Sequence, residues 1–262
     1  MEFTVIIPAR YGSRRLPRKA LLDIAGKPMI QRVYEQACKS AATQVVVATD
    51  DQRIADVVSA FGGQSCMTSV DHHSGTDRIQ EVTRRQLMED SAVIVNVQGD
   101  EPLIPPAVIN QVADNLQLHQ VPMATLCESI ESLEDVLDPN IVKVVTDEND
   151  IALYFSRAPI PWDRESFPDK WDGSLNQHKR HIGIYAYRVS LLNKFVTWPA
   201  DVIEQTEKLE QLRAIRQGIK VHVDQAIEQI PPGIDTEKDL LRTREVIESG
   251  INPGNSDATY RP

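Results

Sequence analysis

Phe3-Thr4-Val5-Ile6-Ile7-Pro8-Ala9-Arg10-Tyr11-Gly12-Ser13-Arg14-Arg15-Leu16-Pro17-Arg18-Lys19 is the stretch from which the rest of the chain can be read. Its first five residues form an apolar, mostly β-branched run that is too short for a helix, and they predict a buried strand. The strand feeds directly into a basic loop. Between Arg10 and Lys27 the sequence sets Arg10, Arg14, Arg15, Arg18, Lys19 and Lys27 against one acid, Asp23, in a chain whose formal net charge is -10. Local charge that opposes the global sign calls for a local anion. A solvated, charged connection is the alternative. The position directly after the first strand of an α/β pattern disfavours it, because such sheets bind ligands beyond the carboxyl ends of their strands.

The loop has the parts of a phosphate site. Gly12 and Ser13 allow backbone N–H groups to turn toward an anion, arginines can grip phosphate oxygens two at a time, and Lys19 adds a point charge. Pro17 stiffens the segment. The chain contains neither Gly-x-x-x-x-Gly-Lys-Ser/Thr nor Gly-x-Gly-x-x-Gly, so neither a P-loop nor a dinucleotide fingerprint explains it.

Outward from the loop, strand and helix patterns alternate. Met29, Ile30, Val33, Tyr34 and Ala37 recur at helical spacing after Pro28, Gln44 to Asp50 reads as a second buried strand, and Ile54, Val57, Val58 and Phe61 mark a second helix that Gly62-Gly63 ends. Residues 64–68 suit a short strand, 71–78 a polar loop, and Ile79, Val82 and Leu87 the next helix. Ala92 to Val97 is another buried strand, running into Gln98-Gly99-Asp100-Glu101-Pro102, and Val108 to Leu116 another helix. This alternation predicts βαβ units and a parallel sheet, hence an α/β fold.

The second half changes character. Strands are expected at 123–126, 141–145, 152–155 and 182–187, the last alternating so as to leave one polar face, which suggests a mixed sheet. Residues 159–179, with Pro159, Pro161 and Pro168, predict a long loop or flap. Helices are expected at 191–196 and 204–216, a strand at 221–223, and a capped helix start at Asp235-Thr236-Glu237-Lys238-Asp239. Residues 249–262 lack a period and are expected to be loosely ordered, leaving one domain over 1–248.

At 262 residues and 29.4 kDa, with a pI near 5.1, the chain has room for a large core and lacks the broad basic face that nucleic acid requires. A nucleotide needs only a pocket. Cys38, Cys66 and Cys127 are far apart and read as reduced thiols; no signal peptide or membrane span is expected, and the protein is read as cytoplasmic. A triphosphate is normally handled as its Mg²⁺ complex with oxygen ligands. Asp100, just past a buried strand, and Asp235 are the candidate ligands, each with a helix-cap or turn-forming alternative. His72-His73 and the pair His178, His181 lack zinc-type spacing, and Asp-x-Asp is absent, which counts against transfer from a nucleotide-sugar.

With these residues assembled, the chain resembles the 3-deoxy-manno-octulosonate cytidylyltransferases, or CMP-Kdo synthetases, from about residue 3 to about residue 248. The resemblance rests on the 8–19 stretch, Val-Ala-Thr-Asp (47–50), His-x-Ser-Gly-Thr-Asp-Arg (72–78), Asn-Val-Gln-Gly-Asp-Glu-Pro (96–102), Tyr-Phe-Ser-Arg-Ala-Pro-Ile-Pro-Trp (154–162), His-Ile-Gly-Ile-Tyr-Ala-Tyr-Arg (181–188), Leu-Glu-Gln-Leu-Arg (209–213) and Gly-Ile-Asp-Thr-Glu-Lys-Asp-Leu (233–240). The chain departs from the family at Arg14, Arg18 and Ala20, where Thr, Gly and Pro are usual, and across 163–179. The resemblance implies a Rossmann-like nucleotidyltransferase fold with a mostly parallel central sheet flanked by helices, a nucleotide-binding half at about 1–120 and a smaller mixed-sheet sugar-binding and dimerisation half at about 121–248. It implies the reaction CTP plus Kdo to CMP-Kdo plus diphosphate with Mg²⁺, for lipopolysaccharide biosynthesis, by a homodimer.

The resemblance also assigns residues. Ala9, Arg10, Gly12, Ser13, Arg15 and Lys19 would hold the triphosphate, with Ser74, Arg78 and Gln98 also on the nucleotide. Asp100 and Asp235 would hold metal. Gln98, Arg157, His181, Tyr185, Glu210 and Gln211 would surround the sugar acid. Lys19, Arg10, Asp100 and Asp235 are the expected catalytic set, and His181 is read as a donor to the sugar, with a catalytic base as the alternative. The 8-amino analogue of Kdo, a CMP-sialate synthetase activity and a non-catalytic nucleotide-binding subunit are the competing readings.

Overall fold

In the computed structural model, residues 2–12, 16–171 and 177–249 are described. The first strand, β1 (Thr4–Ala9), is buried on both faces, as its apolar run requires. A short hairpin, β2 (Asp23–Ile24) and β3 (Lys27–Pro28), leads to α1 (Met29–Cys38). Then follow β4 (Gln44–Thr49), α2 (Gln52–Ala60), β5 (Ser65–Met67), α3 (Gly75–Arg85), β6 (Val93–Asn96) and α4 (Pro106–Leu118). The second half contributes β7 (Met123–Ser129), α5 (Leu133–Leu137), β8 (Lys143–Thr146), β9 (Ala152–Ser156) and β10 (Lys179–Arg188). It closes with α6 (Val189–Phe195), α7 (Val202–Glu207), α8 (Gln211–Arg216), β11 (Val221–Gln225) and α9 (Glu237–Ser249).

One sheet runs through the molecule in the order β11-β7-β10-β6-β1-β4-β5. The pairs β6/β1, β1/β4, β4/β5 and β11/β7 are parallel, whereas β10 lies antiparallel between β6 and β7. The β8/β9 hairpin joins β10, so the mixed part is continuous with the parallel part. Strand period fixes the layers. Val5 and Ile7 share a core with Ile30 and Val33 of α1, Ile54 and Val58 of α2, and Val108 and Val112 of α4. Ile6 faces the opposite core, with Ile79 and Val82 of α3 and Leu191 and Leu192 of α6. Helices on both faces leave the carboxyl ends of β1, β4 and β6 as the exposed edge for a ligand.

Four expectations need correction. The 71–78 segment is not loop throughout: Ser74 caps α3 in a reciprocal box with Asp77, so Gly75 to Arg78 form the first helical turn. Leu87 falls outside that helix, at φ 52° and 88% exposed. The expected single helix at 204–216 is two, because Lys208 adopts φ 54° between α7 and α8. The expected polar face of β10 is buried and aromatic, with Tyr185 8% and Tyr187 4% exposed and stacked on each other. The 159–171 part of the expected flap forms no helix or strand, but Phe167 packs on Ile130 and Val136, and His178 accepts a hydrogen bond from Trp171 Nε1 at 3.2 Å. The 250–262 tail lies outside the described residues.

Candidate active site

The site begins where β1 ends. Ala9 is buried, Arg10 is exposed, and the position a β-carbon would take at Gly12 meets open space. Ser13, Arg14 and Arg15 lie outside the described residues. Arg18 takes a left-handed conformation at φ 59° and starts a 3-10 turn, Lys19–Leu21, that turns Lys19 back toward the sheet. Its Nζ donates to Asp100 Oδ2 at 2.6 Å and to Asp235 Oδ1 at 2.9 Å. Two carboxylates from distant parts of the sequence thus meet one ammonium at the carboxyl edge of the parallel strands.

Backbone packing explains the convergence. A β-carbon on Gly99 would come within 2.8 Å of the Pro8 carbonyl oxygen, so only glycine lets the end of β6 lie this close to the end of β1. The Ile234 amide donates to the Asp100 carbonyl at 2.9 Å, joining the two acidic segments. The helix-cap duty that competed for Asp235 is taken by its neighbours: the Thr236 amide donates to Asp239 Oδ2 at 2.7 Å and the Asp239 amide to Thr236 Oγ1 at 3.3 Å. Asp235 is thereby turned to Lys19 instead.

Beside this charged cluster is a cavity of about 260 Å³. Gln98, Tyr185, Glu210 and Gln211 line it, so the structure brings together four of the six expected sugar-binding residues. The register explains part of this, since Tyr185 pairs with Asn96 across β10 and β6. Glu210 Oε2 accepts from Thr76 Oγ1 at 2.6 Å, and burial raises the Glu210 pKa against the hydrogen bonds from Thr76 and Ser74. Gln98 Nε2 donates to the Gly183 carbonyl at 3.3 Å.

The other two expected sugar ligands are not in the lining. Arg157 donates from Nε to the Glu207 carbonyl and from Nη1 to the Pro139 carbonyl, both at 2.7 Å. His181 packs edge-on against Phe155 with Nε2 3.0 Å from Thr125 Oγ1, and desolvation pushes its pKa down to about 3. An imidazole so reluctant to take a proton is a poor general base at neutral pH. Arg78 is 4% exposed, paired with Asp50 at 2.7 Å and bonded to Thr68, so it ties α3 to the ends of β4 and β5. Of the histidine pairs considered for zinc, His72 contacts Glu81 and His178 contacts Trp171 and the Pro161 carbonyl.

Sequence reasoning missed Thr76, Asn96 and Tyr187, which also line the cavity. Each had a signal. Thr76 and Asn96 stand inside motifs already recognised, and Asn96 is a polar residue in an otherwise apolar strand.

A family model described as cytidylyltransferase matches residues 4–225, most of the chain. The chain belongs to the cytidylyltransferase family. Among its relatives, 3-deoxy-manno-octulosonate cytidylyltransferase 2 of Actinobacillus pleuropneumoniae serotype 5b is 53% identical over 251 residues, covering 95% of this chain and all (100%) of that protein. The 3-deoxy-manno-octulosonate cytidylyltransferase of Vibrio vulnificus is 55% identical over 249 residues, covering 94% and 98%. A solved structure of CMP:2-keto-3-deoxy-manno-octonic acid synthetase complexed with CTP superposes with a TM-score of 0.87 at 42% identity, covering 96% of this chain and 100% of that one. In this cytidylyltransferase the paired carboxylates on Lys19 are hard oxygen donors, the kind a divalent cation of the Mg²⁺ type accepts.

Proposed function

We propose that this enzyme transfers the cytidylyl group of CTP to the anomeric hydroxyl of 3-deoxy-manno-octulosonate, giving CMP-Kdo and diphosphate for lipopolysaccharide synthesis. The observation that carries the chemistry is the convergence of Asp100 and Asp235 on Lys19 at the end of β1, next to a polar cavity. The sugar is taken from the relatives, which carry that substrate in their names.

In this reading the 1–120 half holds CTP. Arg10, Ser13, Arg15 and the backbone at Ala9 and Gly12 take the triphosphate, and Ser74 and Arg78 shape the wall on the nucleotide's side. Lys19 faces the α-phosphate, where in-line attack builds negative charge that a fixed cation stabilises more in the transition state than in the ground state. Asp100 and Asp235 suit Mg²⁺, since they already draw a cation between them and Asp239 relieves Asp235 of capping. Bound there, the metal would supply positive charge to the phosphates and the departing diphosphate. The 121–248 half receives the sugar through Tyr185, Glu210 and Gln211, with Gln98 at the boundary. Arg157 and His181 act at one remove, by holding the 139 and 207 backbone and the β10 bulge.

A CTP-consuming step belongs in the cytoplasm, and among the described residues no helix is long and apolar enough to cross a membrane. A second copy of the chain covers the outer edge of β9, which pairs with β8, is flanked by the Ile151–His222 bridge and the Arg157–Glu207 contact, and carries Leu153 at 58% exposure. The test of the activity is diphosphate release with CTP and Mg²⁺ against Kdo, 8-amino-Kdo and N-acetylneuraminate. Release should require Kdo; turnover of either other sugar acid without Kdo-dependent release overturns the assignment.

A further inference from the structure

The cavity wall contains an imbalance of hydrogen-bonding groups. Asn96 Oδ1 and Glu210 Oε1 are both buried from solvent without a hydrogen-bond partner, and both residues line the same cavity. Asn96 is 3% exposed. Two donors in the same wall are committed: Thr76 Oγ1 gives its proton to Glu210 Oε2 at 2.6 Å, and Gln98 Nε2 gives one to the Gly183 carbonyl at 3.3 Å. The two groups left wanting are acceptors, and one belongs to a carboxyl group. Native interiors rarely leave buried acceptors unpaired unless a ligand or water completes them.

A ligand that completes such a wall must bring O–H donors and keep its own negative charge out. Resting on the sugar-acid reading above, the geometry points to Asn96 as a specificity-determining residue that, with Glu210, accepts hydrogen bonds from the hydroxylated end of the sugar. The sugar's carboxylate is thereby turned away from this wall. Asn96 is suited to that task because β6 is locked between β1 and β10, with Asn96 opposite Tyr185 in register. The Asn96 amide also contacts the Tyr187 side chain, which lines the same cavity and is kept neutral by burial. Glu210 is presented from the break between α7 and α8, so the two acceptors come from rigid, independent elements. A polyol loses its hydration on entering, and an unfilled acceptor rejects a substrate that lacks the matching hydroxyl.

The experiment pairs substrate and enzyme changes. Wild-type enzyme is assayed with Kdo and with analogues in which single side-chain hydroxyls are replaced by hydrogen, and the panel is repeated with Asn96→Leu. At least one deoxy analogue should raise KM in the wild type by about ten-fold or more, and Asn96→Leu should show little further loss with that same analogue. The Kd for CTP of Asn96→Leu should stay within about two-fold of wild type, which separates a sugar contact from general damage to the site. Should Asn96→Leu not fold, the wild-type panel decides: deoxy analogues that all match Kdo within about two-fold overturn the inference. Analogue penalties that persist unchanged in Asn96→Leu also overturn it. A wild type that turns over no Kdo fails earlier, at the proposed reaction, and is thus distinguishable.

Discussion

Lys19 is the residue on which the proposed chemistry is balanced, because its ammonium meets Asp100 at 2.6 Å and Asp235 at 2.9 Å. Removing one acid should damage the reaction more than the fold, since the cluster is partly open to solvent and such pairs add little stability. Asp100→Ala should lower kcat by roughly 100-fold or more at any practical Mg²⁺. Its thermal unfolding should shift by no more than a few degrees, as about 1 kcal/mol implies for a chain of this size. Near-normal turnover in that variant refutes the role given to the acid. Glu81 illustrates a purely structural charge. Burial opposes its ionisation, but the Ser69 amide, His72 and Arg85 outweigh burial and pull its pKa from 4.5 to about 2. A depressed carboxylate pKa gives stability that is present above the unfolded value and is lost as pH falls through the folded one. Urea unfolding as a function of pH should therefore show wild type losing about 1–3 kcal/mol between pH ~4.5 and ~2 that Glu81→Gln does not lose. Parallel curves for the two proteins would remove this account of Glu81.

The break between α7 and α8 decides where Glu210 and Gln211 stand. Arg213 holds it, donating to Glu204 at 2.5 and 2.8 Å while its guanidinium lies 4.7 Å from the centre of the Phe195 ring, itself part of the cavity wall. Breaking such a shielded pair leaves Glu204 without its counter-charge. Arg213→Ala should cost about 2–4 kcal/mol in urea unfolding. It should also raise the KM for the sugar several-fold at unchanged CTP affinity, which steady-state kinetics with each substrate varied will read; a KM change for CTP alone counts against this linkage. None of this was legible from periodicity, because 204–216 carries a helical pattern and nothing in a lysine announces φ 54° at position 208. β1, α1, β4 and α4 were legible because their apolar spacing decides their burial with no help from afar. Ser74 was read as loop because a capping box looks like a polar turn until the helix behind it is counted. Arg157 was assigned to the sugar from the resemblance, and its carbonyl partners, Pro139 O and Glu207 O, leave no mark in sequence. Tyr185 and Tyr187 looked polar-facing because an alternating strand does not tell which layer will cover it.

Across the whole molecule the reversal of β10 is what joins the parallel part of the sheet to the mixed part. A parallel sheet alone would carry the proposed anion site at the ends of β1, β4 and β6. Inserting β10 antiparallel beside β6 brings Tyr185 opposite Asn96, and both line the cavity in which the sugar is proposed to bind. The separation of Lys19 from Asp235 by 216 residues shows why only likeness to relatives, and not local spacing, could pair them beforehand. The same sheet leaves one consequence at its margin. β9 ends the β8/β9 hairpin, with its outer edge contacted at Ile151 by His222 and at Arg157 by Glu207 but paired with no second strand along 152–156 among the described strands, and Leu153 stands 58% exposed on it. An exposed edge strand carrying a large apolar side chain is a template for pairing, and a two-fold axis would satisfy both copies with the same contact. Sedimentation velocity at ~50 µM, a concentration at which contacts of ordinary interface size persist, should show wild type as a dimer and Leu153→Lys mainly as monomer. Because Leu153 lines neither the cavity nor the Lys19 cluster, CTP affinity should be retained in the variant. A wild type that sediments as a monomer, or a Leu153→Lys protein that stays dimeric, places the contact between copies somewhere other than β9.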